Sequence, residues 1–360
     1  MGTASDLTIL AGPKAYELIR AGGLAPNQVA VMAGAAGGPK WLILGQLDRL
    51  LFSRWFAGRK APLFLVGSSS GAWRFAATCH QDPVAAIDRF ERAYNDQSYS
   101  DRPTPDEISA QGRKILRRLL SVQPPESLLQ HPFLRLNVLA VRCKGPARSE
   151  RRPLQAVGLG AAYLANIVHR GTLGWFFERA LFHDPRQRPP LSSVNEFPTR
   201  QVALRGDNLP QALMASGSIP YIMRGVQDIP RAPRGVYRDG GIIDYHLDLP
   251  FNTPDRVTLM LHYTDRIVPG WFDKRLTWRR PRAEHMQNVL LVAPSARFVE
   301  RLPHRKIPDR NDFYLYQGRD RERVRYWQRA VTESRALADA FWALVESGRI
   351  RDEVRLLPVS

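Results

Sequence analysis

Cysteine is scarce in this chain: its 360 residues include only Cys79 and Cys143. Two thiols cannot build a disulfide framework, and they are too few for a cysteine-rich metal site. Free cysteines pack as small hydrophobic residues. The sequence therefore predicts two buried thiols in a reducing compartment, and we expect neither a metal site nor a cofactor.

Long apolar runs are also missing. No stretch approaches the roughly 20 apolar residues that cross a bilayer as a helix. The segment 1–6 has no basic region followed by an apolar run, which predicts the absence of a secretory signal. We therefore expect a cytoplasmic protein that can sit peripherally on the inner surface of the membrane.

Acidic residues are outnumbered, with 34 Asp and Glu against 52 Lys and Arg, a formal net charge of +18. Such a charge attracts anionic partners such as phospholipid headgroups or nucleic acid. In the segment 266–282, basic residues alternate with Trp271, Phe272 and Trp278. This mixture suits a membrane interface, a nucleic-acid groove or a solvated loop. We expect an anionic membrane surface, and not nucleic acid, as the partner.

Short apolar segments alternate with segments of helical periodicity along the chain. This order predicts an α/β fold with a mainly parallel sheet covered on both faces. The predicted strands cover 28–32, 62–66, 134–141, 201–204 and 257–262, and the predicted helices cover 13–20, 40–56, 209–215 and 321–346.

The segment Gly67-Ser68-Ser69-Ser70-Gly71 fits the G-x-S-x-G nucleophile elbow. In such an elbow the central serine occupies a sharp, strained turn between a strand and a helix, and its small neighbours let other backbone approach. The predicted strand 62–66 precedes this segment, and a helical pattern follows it. The setting predicts Ser69 as a nucleophile and Gly67 and Gly71 as elbow glycines. A glycine- and serine-rich turn without chemistry is the alternative.

A second glycine-rich turn, 34–40, precedes the elbow. It is not a phosphate-binding loop, because that motif requires glycine before the lysine and Ser or Thr after it. Here Pro39 precedes Lys40 and Trp41 follows it. Glycine N–H groups at a helix start can instead stabilise a developing oxyanion. This pattern predicts an oxyanion hole, with a simple tight turn as the alternative.

Two further motifs follow the glycine-rich turn and the elbow along the chain. The stretch 212–220 reads A-x-x-A-S-x-S-I-P, and Asp239 precedes Gly240 and Gly241. With the glycine-rich turn and the elbow, in this order, they resemble the patatin-like phospholipase family over about 28–250.

The resemblance implies the nucleophile at Ser69 and its base at Asp239, with Gly240 and Gly241 as loop glycines. It also implies an oxyanion hole at Gly37, Gly38 and Lys40. The fold would be a three-layer α/β/α sandwich with a mainly parallel central sheet. The substrate would be a lipid ester, cleaved by a phospholipase A-type or carboxylic ester hydrolase through an acyl-serine intermediate. We expect one domain over 1–360, with the catalytic core at about 28–252. The extension 253–360 would complete the sheet and end in a long helix.

Two other classes of protein remain as alternatives. One is an α/β-hydrolase whose Ser-Asp-His triad uses a late histidine such as His262, His285 or His304. The other is a basic, non-enzymatic protein that binds membrane or nucleic acid. Within the hydrolase hypothesis, the aromatic segment 175–177 could line an acyl-binding cleft or pack in the core.

Overall fold

The structure is a computed structural model that describes residues 5–191 and 195–358. Part of the segment 1–6, on which the predicted absence of a secretory signal depends, lies outside the described residues.

A large mixed sheet forms the centre of the protein. Its order is β11-β1-β10-β9-β2-β3-β4-β5-β6; β8 also pairs with β4, and β7 pairs with β8. The strands are β1 (Leu7–Ala11), β2 (Val29–Gly34), β3 (Leu63–Ser68), β4 (Leu134–Cys143), β5 (Phe177–His183), β6 (Thr199–Ala203), β7 (Val226–Gln227), β8 (Val236–Asp239), β9 (Val257–Leu261), β10 (Val289–Pro294) and β11 (Arg355–Leu356).

Helices flank this sheet. They are α1 (Pro13–Gly22), α2 (Gly45–Leu50), α3 (Ser70–Thr78), α4 (Pro83–Asn95), α5 (Pro105–Leu120), α6 (Pro125–Leu129), α7 (Arg152–Val168), α8 (Leu209–Ser216), α9 (Ala283–Met286), α10 (Ala296–Arg301), α11 (Asn311–Leu315), α12 (Asp320–Glu333), α13 (Arg335–Glu346) and α14 (Ile350–Glu353).

The middle of the sheet is parallel, as the sequence predicts: β10, β9, β2, β3 and β4 run in one direction. Every residue of β2 and of β3 is buried. Strands buried on both faces are characteristic of parallel sheets covered by helices. Gly34, the last residue of β2, pairs with Gly67, the residue before the end of β3. The two glycine-rich turns therefore begin side by side.

The edges of the sheet differ from the prediction. The strands β1 and β10 form an antiparallel pair that the sequence did not reveal. The strand β5, which pairs antiparallel with β4, is not among the predicted strands. Residues after 252 supply β9, β10 and β11, so this segment contributes to the sheet on both sides of β1 and next to β2.

Two predicted helices are wrong in their continuity. The segment 40–56 is a 3-10 helix (Gly38–Leu44), then α2, then a π-helical turn (Leu51–Trp55). Nearly all of 38–45 is buried, so no single amphipathic face constrains this segment to a regular α-helix. The segment 321–346 is not one long helix, because α12 ends before Ser334 and α13 begins after it. The Ser334 hydroxyl donates to the carbonyl of Val331, a local bond that competes with helix continuation.

Cys79 and Cys143 are both buried and free, which confirms that the two thiols are buried. Within the described residues, no helix is long and apolar enough to cross a membrane.

Candidate active site

Ser69 occupies a sharp turn between β3 and α3. Its backbone angles are φ 54° and ψ −127°, a conformation that costs free energy for a residue with a side chain. The turn also needs a glycine at position 71. A Cβ atom there would lie 2.1 Å from the carbonyl oxygen of Gly34, at the end of β2. This is the strained geometry that the elbow motif predicts.

The side chains of Ser69 and Asp239 are in direct contact. The Ser69 hydroxyl donates to Oδ2 of Asp239 over 2.7 Å, although 170 positions separate the two residues. The other carboxylate oxygen, Oδ1, accepts from the N–H of Gly241 at 2.7 Å. Ser69 is 4% exposed and Asp239 is 5% exposed. The carboxylate is therefore held by two hydrogen bonds, one of them from the hydroxyl group.

Sheet register explains how two distant residues meet. Ser68 in β3 pairs with Leu139 in β4, and the next residue, Ala140, pairs with Asp239 in β8. Because β5 pairs with the other edge of β4 over 138–143, β3 and β8 share one edge of β4, and their last residues meet end to end. Gly240 follows in a 3-10 turn that packs against the Leu139 carbonyl.

The A-x-x-A-S-x-S-I-P stretch orients both members of this pair. The Ser69 N–H donates to the Ser216 hydroxyl at 2.8 Å, and that hydroxyl donates to the carbonyl of Leu139 at 2.6 Å. The Asp239 N–H donates to the carbonyl of Ser218 at 3.0 Å. Sequence analysis recognised this motif but gave its serines no role. The structure makes Ser216 and Ser218 positioning residues for the two side chains.

The predicted oxyanion turn lies next to the elbow. Gly38 has φ +58°, a conformation that glycine adopts without strain, and it begins the 3-10 helix. Gly38 and Ser69 line the same cavity. Among residues 5–191 and 195–358, no hydrogen-bond acceptor contacts the N–H groups of Gly37 and Gly38. These two donors are therefore available to a ligand oxygen.

Lys40 is in this 3-10 helix, but its ammonium group lies over the ring of Tyr263, 4.7 Å from the centroid. The hydroxyl of Tyr263 donates to the carbonyl of Ala36 at 2.6 Å, and this hydrogen bond holds the backbone of the glycine-rich turn in place. Trp41, which stands where the resembled family usually has glycine, is buried and stacks on Phe90. Lys40 thus places its positive charge over Tyr263, whose hydroxyl contacts the turn.

Burial raises the pKa of Asp239 above its ordinary value. The positive charge of Arg310, the hydrogen bonds from Ser69 and Gly241, and the charge of Lys274 oppose this rise. The Arg310 side chain lies against Gly38: its Nε atom is 3.0 Å from the place a Cβ atom there would take. Sequence analysis did not identify Arg310, since it lies in the extension that the family resemblance does not cover.

This arrangement predicts a shift in the pH dependence of any reaction that needs ionised Asp239. Activity should be lost as pH falls through the raised pKa of the carboxyl group. In Arg310→Gln a cation that lowers this pKa is removed, so the acidic limb of kcat/KM should move to higher pH. Arg310→Lys keeps the charge and is the matched control, whose limb should stay near that of the wild type. An unchanged limb in Arg310→Gln would contradict this account of the electrostatics.

A cavity of about 470 Å³ opens beside Ser69. Its volume is in the range of small-molecule sites. Apolar side chains from α3, α5, α11 and the loop after α8 form most of its wall: Trp73, Ile108, Ile115, Ile219, Ile222, Met223 and Phe313. The segment 175–177 is not part of this wall. Phe177 is fully buried in a separate core cluster, Phe176 packs against that cluster and Trp175 is 73% exposed, so core packing, and not cleft lining, holds for Phe176 and Phe177.

The buried histidines near the site have other partners. Nε2 of His246 contacts the hydroxyl of Tyr263 at 2.7 Å, and its Nδ1 accepts from the N–H of Val268 at 2.9 Å. Nδ1 of His262 contacts the backbone of Thr264. Burial lowers the pKa of both rings, that of His262 to about 3, so both are neutral at pH 7.

The two later histidines also have partners elsewhere. Nδ1 of His285 contacts Oδ1 of Asp248 at 2.8 Å, and Nε2 of His304 contacts the hydroxyl of Tyr316 at 2.7 Å. A 2.7 Å contact between Ser69 and Asp239 leaves no space for an imidazole between them. The geometry thus differs from a Ser-His-Asp triad, in which the imidazole lies between hydroxyl and carboxylate.

Within residues 5–191 and 195–358, no group of three or more His, Cys, Asp or Glu side chains has the arrangement of a metal site. No protein-family model matches the chain, and no curated protein matches it.

Proposed function

We propose that this protein is a serine acyl hydrolase of the patatin-like type, which cleaves lipid esters with Ser69 as nucleophile and Asp239 as general base. The observation that carries the proposal is the direct 2.7 Å hydrogen bond between the two side chains at a strained strand-to-helix turn. A lone serine hydroxyl is a poor nucleophile and needs an adjacent base. The mainly parallel sheet with flanking helices is consistent with a three-layer α/β/α sandwich of this type.

The first half of the reaction forms an acyl-enzyme. Asp239 accepts the proton of the Ser69 hydroxyl while Oγ attacks the ester carbonyl carbon. The carbonyl oxygen becomes an oxyanion, which the free N–H groups of Gly37 and Gly38 stabilise. When the tetrahedral intermediate collapses, the bond to the alcohol breaks and the alcohol leaves with the proton from Asp239. The products are an acyl-Ser69 ester and the free alcohol.

Water completes the second half. Asp239 accepts a proton from a water molecule, and the resulting hydroxide adds to the acyl-Ser69 carbonyl. The second oxyanion occupies the same turn, and its collapse releases a carboxylic acid as the serine recovers its proton. A carboxylate is a competent base here because burial raises its pKa toward the working range.

The cavity wall supports an apolar acyl chain as the bound part of the substrate. Each buried methylene contributes about 0.8 kcal/mol, or about fourfold in kcat/KM where binding continues into the transition state. We therefore expect an octanoyl ester to be cleaved at least about tenfold faster, in kcat/KM, than an acetyl ester of the same alcohol. Purified protein and soluble p-nitrophenyl esters suffice for this test.

The control for this measurement is the same pair of esters with Ile115→Trp, which fills part of the cavity from its α5 wall. This variant should lose the preference for octanoyl over acetyl and keep acetyl ester hydrolysis. If folded wild-type protein hydrolyses neither ester, the proposed function is wrong, and the basic non-enzymatic alternative takes its place.

A further inference from the structure

Helix α7 exposes an unusual face. No charged residue occurs from position 153 to position 168. Its exposed large apolar side chains are mostly three, four or seven residues apart, spacings that place them on one face, so they form one stripe along the helix. They are Leu154 at 46%, Val157 at 63%, Leu164 at 65%, Ile167 at 38% and Val168 at 85% exposed. A surface helix in water normally directs such residues inward.

The polar side chains of α7 point the other way. Gln155 and Asn166 are buried. The Oε1 atom of Gln155 accepts from the N–H of Tyr221 at 3.1 Å, and the amide of Asn166 donates to Asp273 at 2.8 Å. These contacts fix the rotation of α7, so the apolar stripe cannot turn inward without breaking them. A contiguous exposed patch of this kind marks an interaction surface.

Aromatic and basic groups surround the stripe. Two exposed tryptophans lie near α7. Trp175, at 73%, ends the Arg170–Trp175 turn that contacts this helix, and Trp278, at 63%, precedes Arg279, whose guanidinium donates to the carbonyl of Asn166 in α7. Exposed arginines lie at the amino end of α7 and in this second segment: Arg148, Arg151, Arg152, Arg275 and Arg280.

The tryptophans and arginines around the stripe form a positively charged rim. The charge of this rim indicates which partner the stripe binds. Indole rings and guanidinium groups around an apolar stripe suit the headgroup level of a bilayer, where they meet phosphates. In a symmetric dimer through this face, the arginines of the two copies would meet at one interface. Repulsion between these like charges would oppose the dimer. The rim therefore favours an anionic lipid surface.

We propose that α7 is the membrane-docking helix of this protein, and that it inserts its apolar stripe into the surface of an anionic bilayer. The segment 266–282 contributes Trp278, Arg275 and Arg280 to this surface, whereas Arg279 and Arg282 pair internally with Asp273 and Glu196. The proposal rests on the proposed function, because it names the surface through which a lipid-cleaving enzyme would reach its substrate. Tyr221, bonded to α7, and Trp271, in the turn that contacts it, both line the cavity beside Ser69. Docking would thus bring the cavity to the lipid.

The test is co-sedimentation with vesicles of phosphatidylglycerol and phosphatidylcholine. The double variant Val157→Glu/Leu164→Glu places two charges on the stripe, and its partition coefficient should fall about tenfold or more. Binding of the wild type should also fall as salt rises or as phosphatidylglycerol is omitted. The matched control is Val122→Glu. Val122 is also 63% exposed, but it precedes α6 and so lies near the amino end of β4, whereas α7 follows the carboxyl end. This variant should bind like the wild type.

A second measurement does not depend on the double variant. An environment-sensitive fluorophore on Ala161→Cys, on the exposed side of α7, should shift to the blue when anionic vesicles are added, and the same probe on Val122→Cys should not. Unchanged vesicle binding by the double variant, no shift at 161, or a wild-type dimer that the double variant dissociates would overturn the proposal. Hydrolysis of the soluble octanoyl ester separates the two proposals, because the double variant should retain it whether or not docking is correct.

Discussion

Ser69→Ala is expected to lose ester hydrolysis by about a thousandfold or more, the scale seen when a nucleophile is removed from a serine hydrolase. Without Oγ no acyl-enzyme can form, whatever the state of Asp239. The fold should survive, since the backbone contacts of residue 69 with Ser216 and α3 remain. Steady-state hydrolysis of the octanoyl ester and a thermal melt of the same sample measure the two quantities.

The neighbouring serines are the matched controls. Ser68 and Ser70 are also buried, and neither hydroxyl has a hydrogen-bond partner among the described residues. Ser68→Ala and Ser70→Ala should therefore stay within about tenfold of the wild type. If one of them is as inactive as Ser69→Ala while still folded, the nucleophile has been assigned to the wrong serine.

Asp239→Asn is expected to lose about a thousandfold or more in kcat. The amide has nearly the same shape as the carboxylate, and its oxygen can still accept from Gly241. It cannot accept a proton from Ser69, so the base is lost while the loop is kept. If Ser69→Ala and Asp239→Asn reduce kcat by a similar factor and keep the melting temperature of the wild type, the two side chains act as one catalytic unit.

The histidines provide the contrast. His246→Gln, His262→Gln, His285→Gln and His304→Gln should each reduce kcat/KM by less than about tenfold, because their rings contact Tyr263, Thr264, Asp248 and Tyr316 instead of Ser69. A folded histidine variant as inactive as Asp239→Asn would replace the dyad with the triad of an α/β-hydrolase.

The central strands were predictable because their sequences are apolar on both faces. Segments such as LFLV have few alternatives to a buried strand when glycine follows them. The elbow was predictable for the same reason, since its strand, its turn and its helix all have local signals. The contact between Ser69 and Asp239 was not visible in periodicity; it depends on the register of β3, β4 and β8, and only the order of motifs indicated it.

Other parts of the site had no local signal. Arg310 lies in a segment without a recognisable motif, and its place beside Gly38 results from the packing of the extension against the turn. The roles of Ser216 and Ser218 depend on which backbone atoms approach them across the sheet. The helix α7 is not among the predicted helices, and the sequence does not show which of its faces points outward. The burial of Gln155 and Asn166 reverses the usual orientation, and only the contacts with Tyr221 and Asp273 reveal it.

Fluorophosphonate labelling followed by peptide mapping tests the central claim most directly, because the reagent forms a covalent adduct only with an activated nucleophile. The account predicts one adduct, on Ser69, with labelling that is much slower in Asp239→Asn. An adduct on another residue, equal labelling of Asp239→Asn, or no adduct on folded wild-type protein would contradict it.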